Sequence, residues 1–205
     1  MFWETHKPHG LARNPFKSCI VPRPIGWISS ISNEGIVNLA PYSFFNGACS
    51  EPPMVMFGCN GRQPYGLKDT ILNIENTGEF VCNLSTWETR EAMNRSSASV
   101  GPEVDELKMS GLTPVPSKRV KPPRVKEAPV HLECKHLRSV DFPNWSNKDR
   151  YVVVFGEVIG VHIEDQYITP EGLIDVDGMK PIGRLGYDDY TIVGGDSIFT
   201  MTRPE

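Results

Sequence analysis

Short apolar runs of strand length, separated by turn residues, dominate the pattern along the chain. Lys17 to Ser32 reads as two strand segments broken by Pro22-Arg23-Pro24, with Ile25, Trp27 and Ile28 apolar and Ser29 and Ser30 at the end. Asn33-Glu34-Gly35 is a turn signal, and Ile36 to Phe45 returns as the second strand of a hairpin. Pro41 inside that strand suggests an edge, a bulge or a point where pairing stops, because proline brings no N–H to a ladder. Met54 to Cys59, Glu79 to Leu84, Val130 to Leu137, the β-branched run Tyr151 to Ile163, and Ser197 to Arg203 read as further strands. Gly156 and Gly160 are places where the long Tyr151 to Ile163 strand can bend or bulge.

Helical spacing is rarer. Leu67, Ile71 and Ile74 form one stripe, with Asp69 as N-cap and Gly78 as the stop. Ser85-Thr86-Trp87-Glu88 fits a capping box and predicts a helix through Arg95. Pro102 to Met109 predicts a short helix stopped by Gly111. Thr113 to Pro129 is Pro-rich and basic and reads as an extended loop, and Asp141 to Asp149, with Trp145, as a polar loop. Gly172 to Asp189 is rich in turns. At least seven strands, two to three short helices and no βαβ alternation favour a mainly β fold, an antiparallel barrel with helices packed outside.

Composition narrows this only slightly. The 205 residues suit one domain, with 1–16 as an N-terminal arm and 17–205 as the domain. Eighteen Pro and eighteen Gly agree with many short elements. A net charge of −4 gives no electrostatic case for nucleic acid. No apolar run approaches the ~20 residues of a membrane span, and the N-terminus lacks the regions of a signal peptide. Five cysteines without a C-x-x-C pair argue against a disulfide framework or a structural zinc, and suit a reducing cytoplasm. His131 and His136, five apart in a strand, face opposite ways and make a poor metal pair. His6 and His9 belong to a solvated tail.

The dinucleotide, P-loop, nucleophile-elbow and H-E-x-x-H motifs are all missing. What remains is the stretch from Asn38 to Asn73. Its helix start offers backbone N–H groups, Lys68 and Thr70, with Arg62 just before. Ser29 and Ser30 stand ready to join them. The run from Asn38 to Asn46 offers aromatic side chains beside backbone left free around Pro41. These features describe a site for a flat anion, and equally a solvated helix start beside a barrel core.

PRPIGWISS (22–30), NLAPYSFFN (38–46), the Pro52-Pro53 break with its following strand, KDTILNIENTGEFVCNL (68–84), APVHLEC (128–134), PIGRLGYDDY (181–190) and FTMTRP (199–204) together resemble the flavin reductase-like, FMN-binding split-barrel family. The resemblance covers about residues 15 to 204. It implies a six-stranded antiparallel, Greek-key-like split barrel that forms a homodimer with FMN near the subunit interface. By position it implies that Ser29, Ser30, Lys68 and Thr70, with Arg62, hold the phosphate. Asn38, Ala40, Ser43, Phe44 and Asn46 would line the ring and ribityl chain, and Arg184 and Tyr187 would close the pocket. It also implies an oxidoreductase that takes hydride from NADH or NADPH and passes electrons to a downstream acceptor; an FMN electron carrier and a non-enzymatic flavin-binding protein are the alternatives. Gly26 stands where Ala or Val is frequent, and Gly186-Tyr187 replaces a common Gly-Gly. The basic segment Lys118 to Lys126 reads as a solvated loop, with contact to an NADPH phosphate as the sharper alternative.

Overall fold

The computed structural model describes residues 1–64, 66–143 and 149–204, apart from the side chains of Asn60 and Arg62. Trp145 of the expected polar loop lies outside the described residues. Seven strands form one antiparallel sheet: β1 (Gly26–Ile31), β2 (Val37–Tyr42), β3 (Phe45–Ser50), β4 (Pro53–Asn60), β5 (Glu79–Leu84), β6 (Val130–Phe142) and β7 (Tyr151–Ile163). Their order is β2-β1-β5-β6-β7-β4-β3. The two outer strands, β2 and β3, are consecutive in the chain. The expected single strand from Ile36 to Phe45 is therefore divided. Residues to Tyr42 pair with β1, and residues from Phe45 pair with β4. Ser43 and Phe44 lie at the turnover, where the sheet curls into a barrel. Gly26 sits against this corner, and a side chain there would overlap the Phe45 ring. That is the physical reason for a glycine where the resemblance leads one to expect Ala or Val.

Strand periodicity divides the buried residues into two cores. Ile28, Tyr42, Phe57, Phe80 and Val154 point into the barrel, where Ile71 and Ile74 of α1 (Asp69–Thr77) join them. Ile25, Trp27 and Leu39 point outward and pack with Met93 of α2 (Arg90–Arg95), Leu107 of α3 (Glu106–Met109), Val125 and Ile182. Trp27 is fully buried, and its indole N–H donates to Ser96 Oγ at 2.9 Å. Burying such a ring contributes roughly 2–3 kcal/mol.

Several boundaries move. Lys68, not Asp69, caps α1, while Gly78 ends it in the left-handed conformation at φ 73°. The Ser85 capping box does not form: Thr89 precedes the helix, and its hydroxyl accepts from the Thr86 N–H at 3.0 Å. The segment before Pro22 is a 3-10 turn (Phe16–Cys19), and only Arg23–Pro24 is strand, paired with Ile182–Arg184. The expected last strand is absent. Ile198, Phe199 and Met201 are exposed, and among the described residues they pair with no strand. β6 runs five residues past Leu137, held by β7 through two register shifts, one of them beside Gly160.

Candidate functional site

The turnover at Ser43–Phe44 opens two cavities. One, of about 480 Å³, is lined by Pro22, Arg23, Pro24, Ser43, Phe44, Phe45, Asn46, Met56 and Gly58, with Phe142, Tyr151 and Val153 from the β6–β7 end. It is mostly apolar and aromatic. The other, of about 410 Å³, is lined by Lys17, Arg23, Ser43, Asn94, Ser97, Arg184, Tyr187 and Tyr190, among others. It is polar and carries three cations against one carboxylate, Asp188. Arg23 and Ser43 belong to both. The fold thus brings Ser43, Phe44 and Asn46 together in the first cavity, and Ser43, Arg184 and Tyr187 in the second. Tyr187 takes positive φ, 53°, and Arg13 of the arm stacks over its ring at 4.6 Å.

Arg23 was not among the residues the sequence singled out. It is 4% exposed. Its guanidinium donates to the carbonyls of Lys17, Ile20 (2.7 Å) and Leu185 (2.8 Å), and to Ser43 Oγ at 3.4 Å. Burial and the neighbouring Arg184 pull its pKa down. Its only signal in the sequence was an arginine between two prolines, which reads as a break.

The expected phosphate residues are placed differently. Alternation along β1 puts Ser29 and Ser30 on opposite faces. Ser29 is fully buried under the basic loop and donates to the Pro123 carbonyl at 2.6 Å. Ser30 faces the barrel, equally buried, in a polar network with Asn38, Thr70 and Asn73. In that network Tyr42 donates to Thr70 Oγ1 (2.8 Å), and Thr70 donates to Asn38 Oδ1 (2.6 Å). The Asn38 amide donates to Glu106 Oε1 (2.8 Å), and the Leu39 N–H donates to Glu106 Oε2 (3.2 Å). Glu106 thereby covers part of the outer edge of β2. Ala40 packs on the barrel core. Of the expected clamp, Lys68 is partly exposed, with its ammonium 5.4 Å from the Tyr42 ring. The Arg62 side chain lies outside the described part of the structure.

The basic loop is fastened elsewhere. Glu133, fully buried, accepts from the N–H groups of Lys118 (2.8 Å) and Arg119 (2.6 Å) and from His162. Glu79 accepts from the Lys121 N–H (2.7 Å) and from Lys135. β5 runs from Glu79 beside this loop to Leu84, which pairs with Gly26 at the corner. Five strand steps separate them, about 17 Å. The Lys118–Lys121 part of the loop therefore sits at the other end of the barrel from the turnover, while Val125, whose N–H donates to Asn83 Oδ1 at 2.9 Å, lies back towards the corner. His131 Nε2 lies 2.7 Å from the Val125 carbonyl.

Comparison with known proteins agrees with this fold. The model of the flavin reductase like domain matches residues 18–182. A protein of Aquifex aeolicus is 41% identical over 177 residues, covering 86% of this chain and 87% of that one. Among solved structures, nitrilotriacetate monooxygenase component B from Bacillus cereus superposes with a TM-score of 0.83 at 29% identity, over 95% of this chain and 100% of that one. The 2-nitrobenzoate 2-nitroreductase NbaA of Pseudomonas fluorescens gives 0.80 at 29% identity, over 92% and 88%.

Proposed function

The chain belongs to the flavin reductase-like family and has its split-barrel fold, and from that premise we propose that it is an FMN-binding oxidoreductase reduced by NADH or NADPH. The observation that carries this reading is the turnover at Ser43–Phe44, where an aromatic cavity and a cationic cavity meet at one buried arginine. A flat, anionic, ring-bearing cofactor needs that combination of surfaces.

When bound, FMN supplies a ring that accepts hydride and hands electrons on. The chain's own residues orient it and set its surroundings. Phe44 and Phe45 offer aromatic surface, Ser43 and Asn46 offer polar groups, and Phe142 and Tyr151 narrow the cavity against water. Arg23 contributes positive charge at the cavity wall, which favours the added negative charge of a reduced ring. Lys68 lines neither cavity, and its part in holding a phosphate rests on the family likeness alone. Ser30, Asn38 and Thr70 act from behind, by fixing the strand and helix that carry Tyr42 and Lys68. No side-chain acid or base has to move a proton for hydride transfer. We further propose a homodimer in the cytoplasm, with the exposed outer strand β3 at or near the subunit contact, and a downstream electron acceptor. The family likeness to a monooxygenase component and a nitroreductase supports a reductive role.

The test is an anaerobic titration of FMN-loaded protein with NADH and with NADPH. Bleaching of the bound flavin's visible absorption is the expected result. If FMN is taken up but neither nucleotide bleaches it, the nucleotide-dependent reading fails and a carrier reduced by a protein partner replaces it. If no FMN is taken up, the cofactor reading fails.

A further inference from the structure

We propose that the cavity between Lys17, Arg23 and Arg184 is an anion subsite, which takes a phosphate or carboxylate group of a ligand whose ring lies against Phe44. The ring position rests on the flavin reading above; the anion site rests on charge alone.

Buried charges in proteins are normally paired, because an unpaired one costs several kcal/mol. Arg23 is almost fully buried, yet among the described residues its guanidinium meets no carboxylate, only three carbonyls and a hydroxyl. The carbonyls explain why Arg23 is held where it is: it ties the Phe16–Cys19 turn and Leu185 to the barrel. They do not explain why two more cations face it. Lys17 and Arg23 both lie about one ring-width from Phe44, at 6.0 and 5.9 Å from its centroid. Arg184 lines the opposite side and is held there by Tyr190 and the Tyr187 carbonyl. The single carboxylate in the cavity, Asp188, is 3.8 Å from Arg184 and is already bonded to Arg13 at 3.0 Å. Three cations, buried Arg23, partly exposed Arg184 and exposed Lys17, line a polar cavity of about 410 Å³ and leave it a surplus of positive charge. An incoming anion neutralises that surplus and gains charge-assisted hydrogen bonds.

Two sources share this chemistry: the phosphate of FMN itself, and the anionic group of the second reactant. Both are separated by the double variant Lys17→Gln/Arg184→Gln, which leaves Arg23 and its structural bonds in place. FMN and riboflavin are titrated into wild type and variant, and inorganic pyrophosphate and benzoate are titrated into the FMN-loaded proteins while the flavin spectrum is followed. A loss of FMN affinity of tenfold or more with riboflavin unchanged assigns the subsite to the FMN phosphate. Unchanged flavin affinities with a tenfold or greater loss of pyrophosphate or benzoate binding assign it to the second reactant. Equal loss of FMN and riboflavin, or no change in any of the four, overturns the subsite. If the wild type binds no flavin at all, the flavin reading has failed separately. The subsite is then judged on the apoprotein: pyrophosphate must raise the wild-type melting temperature more than the variant's, and equal shifts overturn it.

Discussion

At the residue scale Glu106 carries the clearest titration. Burial pushes its carboxyl up to about 7, against the pull of the Leu39 N–H and the Asn38 amide, and Asp69 adds repulsion. A carboxyl raised in the folded state binds its proton more tightly there than in the unfolded chain. Its contribution to stability is therefore full below the ordinary carboxylate range and is lost as pH rises towards and through about 7. His131 and His136 work in the opposite sense, since burial lowers both pKa values and stability is lost as pH falls through the ordinary histidine range. A difference measurement isolates Glu106, because wild type and Glu106→Gln share both histidines. The urea midpoint of the wild type is expected to fall relative to the variant between about pH 5 and 8, by on the order of 1–3 kcal/mol in stability. Parallel curves would refute the assignment. Neither Glu106 nor Arg23 was legible in the sequence, because a charged residue gives no sign of burial until its partners, far away in the chain, are known. Ser29 and Ser30 are a different case. Their convergence on one phosphate was excluded by strand periodicity alone, since adjacent residues point to opposite faces.

At the level of elements, the sequence was most legible where the apolar pattern was long. Glu79 to Leu84 and Tyr151 to Ile163 match β5 and β7 at both ends. It was least legible where tertiary partners decide. Ile36 to Phe45 reads as one strand, and only the curl of the sheet divides it at Ser43. Ser197 to Arg203 has strand composition but pairs with no strand among the described residues. Thr113 to Pro129 reads as an extended loop and Lys118 to Lys126 as a solvated one, but the chain bends over 118–122, Arg124–Val125 pairs with Pro114–Val115, and Val120 and Val125 are buried, an anchoring the sequence hid. Two carboxylates from β5 and β6 collect three of its backbone N–H groups. Glu79 and Glu133 titrate below their usual range despite burial, through these donors and through Lys135 and His162. Their stabilisation is present above the ordinary carboxylate pKa and is lost as pH falls below it. Replacing Glu133 leaves the two N–H groups of Lys118 and Arg119 without their acceptor. Glu133→Ala is expected to cost about 3–5 kcal/mol and to make the chain sensitive to trypsin after Lys118 and Arg119, since Lys121 is shielded by the proline that follows it. Chemical denaturation and a timed digest read the two effects. A variant that is destabilised but cut no faster within this loop would show that Glu133 supports the barrel without holding the loop.

For the whole molecule, the sheet order leaves β3 as an outer strand, and Asn46 to Ser50 are exposed along it. Natural proteins seldom leave such an edge bare; they blunt it with charge or cover it. β3 carries no charged residue among Phe45 to Ser50, so charge does not blunt this edge, and the proposed homodimer would cover it. The same strand begins at the cavity wall, with Phe45 and Asn46 facing the aromatic cavity. In the proposed dimer, assembly and cofactor binding would be linked through this one element, because a partner covering β3 would also border the cavity. Light scattering is expected to give twice the chain mass. Placing a charge on the outer strand, as in Ala48→Lys, is expected to shift the protein towards the single-chain mass and to weaken FMN binding at least tenfold, without touching a residue that lines either cavity. If Ala48→Lys becomes a monomer yet binds FMN as tightly as the wild type, the site is complete within one chain. If the wild type itself has the mass of one chain, the bare edge of β3 has some other cover, and the dimer is wrong.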